Sequence, residues 1–142
     1  MKYKVEVMID VPRSRMLELF EDLEFMKKWQ NGFESLTVTE GKPGTVGSKS
    51  TLKYNIKGKE SEIEETILKR QLPDQFDFLY EAKGVTNYAN NTFVEKDDQT
   101  LWIAEHEFVF SGLMKLLGLM PKMFIKQTTS DMNAFKKAAE DI

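Results

Sequence analysis

From Phe33 to Phe110 the chain places apolar side chains at every second position, in short runs broken by turn residues. The runs are FESLTVTE, SKSTLKYN, ESEIEETILKRQL, QFDFLYEA, TNYANNTFVE and TLWIAEHEFVF, and the breaks are GKPGTVG, Lys57-Gly58, Pro73-Asp74, Gly84 and Asp97-Asp98-Gln99. A repeat of two is that of a strand with one covered face. Glycine, proline and aspartate at the breaks supply the backbone angles of tight turns. Such a chain forms an antiparallel sheet mostly in hairpin order, with one large apolar face that something must cover. The remaining residues have to provide that cover.

They do so at both ends. Tyr3, Val5, Val7 and Ile9 share one parity and predict a further strand, about seven in all. Pro12 suits the first position of a helix, where its missing N–H is not needed, and Met16, Leu17 and Phe20 follow at helical spacing. Leu23, Met26 and Trp29 predict a second short helix ending at Asn31-Gly32. After Phe110 the spacing becomes helical again. Leu113, Leu117, Met120, Phe124, Thr128, Met132, Phe135 and Ala139 fall near one face, with Lys115, Lys122, Lys126, Lys136, Lys137 and Glu140 on the other. The pattern predicts one long amphipathic helix, kinked at Pro121 or restarting with Pro121 in its first turn. The expected α+β architecture is a curved seven-stranded antiparallel sheet gripping this C-terminal helix, with two short helices after strand one. A single helix about 10–12 Å across does not fill the hollow of such a sheet, so a cavity is expected between them.

Composition narrows the functions. A chain of 142 residues suits one domain, residues 1–142. A formal charge of -3 offers nucleic acid no general attraction. The absence of cysteine removes thiolate nucleophiles, disulfides and thiolate-bound zinc, and a single histidine cannot build a histidine-rich metal site. No metal or other cofactor is expected. The alternating MKYKVEVMID lacks the continuous apolar block of an export signal, so a cytoplasmic protein is expected. The most apolar stretch, SGLMKLLGLMPKMFIKQ, is interrupted by Lys115, Lys122 and Lys126, and a bilayer-spanning helix is not expected. GKPGTVGSKST carries glycines and a lysine without phosphate-loop spacing, and reads as a hairpin turn.

Facing follows from alternation. Trp102, Ala104, His106, Phe108 and Phe110 share one side of the last strand, expected to be the concave one. His106 would then point into the cavity, either to donate to a ligand or to be satisfied by a neighbouring carboxylate or carbonyl. Asn87, Ala89 and Asn91 share a face with Phe93. Amides are disfavoured in strands, so they mark either polar ligand contacts or an exposed edge or bulge. Phe78 and Tyr80 lie on one face with Phe76, mainly as core, with the Tyr80 hydroxyl able to meet a ligand. Glu65 shares parity with Ile63 and Ile67: it is either an inward carboxylate beside His106, fit for acid–base work, or part of a solvated acidic strand. Met114, Met120, Met123 and Met132, with Phe124, suit either an irregular core or an adaptable cavity wall.

The order strand, two short helices, six strands and long helix resembles the START-like superfamily, also called SRPBCC, which includes polyketide cyclase/dehydrase-like proteins. The resemblance rests on the first strand leading into Val11-Pro12, on Leu19-Phe20 and Trp29, on GKPGTVGSKSTLKY with Gly47-Ser48, on Leu72-Pro73 before QFDFLYE, and on DDQTLWIAEHEF. Gln99 departs from it, standing where a glycine often precedes the threonine. The resemblance implies a helix-grip fold with an internal pocket that different relatives use for lipids, sterols, hormones or polyketide-like molecules, and some for catalysis. It carries no catalytic residue onto this chain.

Three functions therefore stand open. The first is carriage of a small hydrophobic or amphipathic molecule by His106, Asn87, Asn91, Phe93, Trp102, Tyr80, Phe78, Glu65, Met120 and Phe124. The second is a cyclase, aromatase or hydrolase moving a proton through His106 with Glu65 or Tyr80. The third is a membrane-surface or protein-interaction module exposing Met114, Leu119 and Met123 beside the lysine face.

Overall fold

The computed structural model describes residues 1–142. Strand β1 (Lys2–Ile9) leads into helices α1 (Arg13–Glu21) and α2 (Leu23–Trp29). Strands β2 (Phe33–Glu40), β3 (Lys49–Ile56), β4 (Lys59–Gln71), β5 (Gln75–Ala82), β6 (Val85–Lys96) and β7 (Gln99–Phe110) follow as a run of hairpins. A 3-10 helix (Gly112–Leu119) and helix α3 (Pro121–Glu140) complete the chain. The sheet order is β1-β7-β6-β5-β4-β3-β2, all antiparallel, so β1 and β2 form the two edges although they are neighbours in sequence. Helices α1 and α2 bridge from one edge to the other and close one end of the hollow. Each strand lies within a residue or two of the position its alternation predicts. Register shifts occur in β2, and between Ile67 and Lys69 in β4, and such bulges bend a strand and raise its twist.

The helices begin as local chemistry directs. Asp22 caps α2, its carboxylate accepting from the Glu24 and Phe25 amides at 2.9 and 3.2 Å. Pro12 sits one position earlier than expected, as the residue flanking α1. Helix α3 is bolted to β1. The Tyr3 hydroxyl meets Thr128 Oγ1 at 2.7 Å, Lys136 Nζ donates to the Met8 carbonyl at 2.8 Å, and the Asp10 amide donates to Glu140 at 2.7 Å.

Under this clamp lies an aromatic core. The Phe135 ring sits 5.3 Å from each of the rings of Phe25, Trp29 and Trp102, all edge-on, with Phe20, Phe93 and Phe76 around them. Edge-on pairs contribute about 0.5–1.5 kcal/mol each beyond simple burial. Ile9, Met16 and Met132 fill the remaining gaps.

Of the two forms expected for the tail, the chain takes the restart, with Pro121 at the first position of α3; the segment before it departs from expectation, forming a 3-10 helix rather than part of an α-helix. Proline cannot donate to the preceding turn, so the break falls where the ring forbids continuation. No residue of the 3-10 helix is buried. Leu113 and Met120, expected on the inner face, are solvent-exposed, and the inward stripe begins only at Phe124.

Candidate functional site

Between the concave sheet and α3 lies a cavity of about 530 Å³, walled mainly by apolar side chains. A drug-sized molecule occupies a site of this order. Strand β7 contributes Trp102, Ala104, His106 and Phe108, as its alternation requires, and α3 contributes Phe124, Thr128, Asp131 and Met132. A second cavity of about 460 Å³ lies toward β2 and β3, and Phe20, Trp29, Gln30 and Tyr80 line both. These four residues form a partition between two chambers.

Asn87 and His106 make the polar floor of the first chamber. The Asn87 amide nitrogen lies 3.2 Å from His106 Nδ1 and also donates to the Glu107 and Tyr88 carbonyls at 3.3 Å. An amide nitrogen only donates, so Nδ1 accepts and the imidazole proton resides on Nε2. Burial lowers the His106 pKa to about 4, and the ring is neutral at physiological pH. Tyr3 stacks on it with ring centres 5.3 Å apart. A neutral imidazole fixed in this tautomer presents one donor, Nε2–H, to whatever enters.

Asn91 lines the same chamber with its amide already occupied. Its oxygen accepts from Trp102 Nε1 at 3.0 Å and its nitrogen donates to the Phe76 carbonyl at 3.1 Å. Asn91 therefore holds the Trp102 wall in place. Phe93 is wholly buried in the aromatic core and lines neither chamber; Met120 also lines neither. Of the four methionines considered as cavity wall, only Met132 faces the first chamber.

Glu65 and Phe78 belong to the second chamber. Glu65 is only 7% exposed, which removes the solvated-strand reading. Burial raises its pKa to about 7, and the neighbouring Tyr80 hydroxyl draws it back only in part. Glu65 pairs in register with Tyr80, Tyr80 with Asn87, and Asn87 with Phe108, so the acid lies on β4 and the histidine on β7. Three interstrand steps separate them by about 14 Å. Glu65 and His106 thus do not meet as an acid–base pair; Tyr80 and Asn87 stand between them.

The sequence reading missed Asp131, Tyr54 and Gln30. Asp131 faces the first chamber, and burial raises its pKa to about 6 against a 2.9 Å hydrogen bond from Gln127. The signal was present, because Asp131 lies two helical turns after Phe124 on the same face. Tyr54 donates to Gln30 Oε1 at 2.6 Å, and burial raises its pKa. No lysine or arginine lines the first chamber. No group of three or more histidine, cysteine or acidic side chains is placed to hold a metal ion.

No family model matches the chain, and no curated protein matches it in sequence. Its fold is nevertheless similar to solved structures over nearly full lengths. Ara h 8.0201 superposes with a TM-score of 0.81 at 14% identity, covering 100% of this chain and 99% of that one. The ZhuI aromatase/cyclase of Streptomyces sp. R1128 gives 0.77 at 14% identity, covering 99% and 93%. Protein CV1439 of Chromobacterium violaceum gives 0.77 at 13% identity, covering 96% of each. With its seven curved strands, paired short helices and long C-terminal helix, the chain has the helix-grip fold that these solved structures share.

Proposed function

We propose that the chain binds and carries a small, mostly hydrophobic molecule in the chamber between the sheet and α3. The observation that carries this reading is the chamber itself: mainly apolar walls interspersed with neutral polar side chains, among them Asn87, His106, Gln127 and Tyr54, with Asp131 as the one acidic group and no cationic side chain. Apolar walls supply affinity in proportion to the area removed from water. The polar groups decide which head group is tolerated. A carboxylate or phosphate entering this chamber would meet a neutral imidazole and Asp131, and would lose its hydration with no counter-charge to replace it. A hydroxyl or carbonyl would accept from His106 Nε2–H, and a hydroxyl or amine would donate to Asp131. The guest is therefore a neutral or cationic amphiphile. Ara h 8.0201 and the ZhuI aromatase/cyclase share the fold, and neither names the guest of this chain.

The test uses Nile red, a neutral apolar dye, as reporter. Dye fluorescence should rise on binding, and decanol should displace it well below the concentration at which decanoate does. His106→Phe should weaken decanol while retaining Nile red. Equal displacement by alcohol and carboxylate, or no dye binding at all, overturns the reading.

A second reading, proton-transfer chemistry, is supported by Glu65 remaining protonatable near neutral pH beside Tyr80. It requires that a molecule co-purifying with the protein be chemically altered on incubation and remain unaltered with Glu65→Gln.

A further inference from the structure

The 3-10 helix Gly112–Leu119 is strongly apolar, yet none of its residues is buried. In a 3-10 helix, side chains three apart stack along one ridge. Leu113, Leu116 and Leu119 fall on that ridge, and they are 91%, 67% and 79% exposed. At about 2 Å of rise per residue, they make an apolar edge about 12 Å long. Met120 and Met123, both half exposed, extend it onto the start of α3.

This exposure does not come from a loose segment. Met114, on the adjacent ridge, packs onto Gly84 so closely that a Cβ there would lie 2.7 Å from Met114 Cγ. Gly84 has a φ of +77° in the left-handed region, and its carbonyl accepts from the Ser111 amide at 2.9 Å. Gly118 faces the Phe110 ring, where a Cβ would lie 3.5 Å from it. The inner side of the segment is fixed to the β5–β6 turn and the end of β7, which holds the leucines outward.

The surrounding charge has one sign. Lys115, Lys122 and Lys126 are exposed and form no ion pair, and no acidic residue occurs from Phe108 to Ser130. We infer that this face docks on an anionic lipid bilayer, with Leu113, Leu116 and Leu119 entering the headgroup–acyl boundary and the three lysines meeting lipid phosphates. Apolar residues flanked by lysines are the requirement for interfacial binding, where burial and attraction to anionic lipid act together. A second copy of the chain fits less well. A two-fold interface sets each patch against itself and would bring six lysines together with no carboxylate among them. No helix is long and apolar enough to span the bilayer, so contact is at its surface. The docking face stands independently of what the cavity holds. If the cavity carries an amphiphile as proposed, the face places Phe124 and Thr128, at the chamber wall on α3, beside the lipid.

The test is co-sedimentation with vesicles at low salt. The protein should pellet with phosphatidylcholine–phosphatidylglycerol vesicles, and much less with phosphatidylcholine alone. Leu113→Ser, Leu116→Ser and Leu119→Ser each should weaken binding roughly tenfold, and Lys115→Glu, Lys122→Glu or Lys126→Glu about fivefold or more. Because all six positions are on the surface, unchanged urea unfolding midpoints will show that the variants fold. No pelleting with anionic vesicles, or pelleting unaffected by the leucine triple variant, overturns the proposal. So does a dimer in sedimentation velocity that ignores vesicles and dissociates in that triple variant.

Discussion

Replacing Glu65 by glutamine tests the interior electrostatics most directly. The carboxyl has a pKa of 4.5 in the unfolded chain and about 7 in the fold, chiefly because burial penalises its charged form. Below about pH 4.5 both states hold the proton and the group has no effect on stability. Between the two values the unfolded state releases its proton while the folded state keeps it, so stability falls as pH rises. Each pH unit in that window costs about 1.4 kcal/mol, and above about pH 7 the full cost is about 3 kcal/mol. Glutamine has almost the same shape, offers an oxygen to the Tyr80 hydroxyl and cannot ionise. The stability difference between Glu65→Gln and the native chain should therefore grow by about 3 kcal/mol between about pH 4.5 and 8 in favour of the variant. In urea, where slopes are about 1–3 kcal/mol per molar, this is a relative midpoint shift on the order of 1 M. A difference that stays flat with pH would mean that Glu65 ionises freely in the fold, through water reaching it or through movement of β4, and the account of the second chamber would fail.

Further outcomes follow from the same geometry. His106 should titrate near pH 4 by NMR, with its proton on Nε2 above that; a midpoint above about 6 would contradict its burial. Asn91→Leu should lower stability by about 2–4 kcal/mol in urea unfolding, because Trp102 Nε1 and the Phe76 carbonyl both lose their partner. Phe135→Ala should cost about 3–5 kcal/mol, as it empties the centre of the aromatic cluster. Leu113→Ser should change stability by about 0.5 kcal/mol or less.

The residues that could be read from sequence were those under a strict local period. Alternation in β7 correctly turned Trp102, Ala104, His106 and Phe108 inward, and in β6 it did the same for Asn87, Ala89 and Asn91. Parity also placed Glu65 inward, though it could not measure distance across the sheet. The separation of Glu65 from His106 depends on strand order, which sequence spacing does not encode. Asn91 looked like a ligand contact because a strand asparagine requires a partner. Its partners, Trp102 and the Phe76 carbonyl, come from neighbouring strands and were invisible in one dimension. In the tail, the restart at Pro121 was legible because proline suits a first helical turn. The 3-10 form before it was not, since Leu113, Leu117 and Met120 fit a 3.6-residue period and the spacing says nothing of whether that face is covered.

The partition formed by Phe20, Trp29, Gln30 and Tyr80 has a consequence for how such a protein diversifies. A wall made of a few side chains acts as a length gauge: while it stands, a guest must fit one compartment, and trimming Trp29 or Tyr80 would let a longer one thread through. New selectivity can then arise by point substitution, with the strands and helices left untouched.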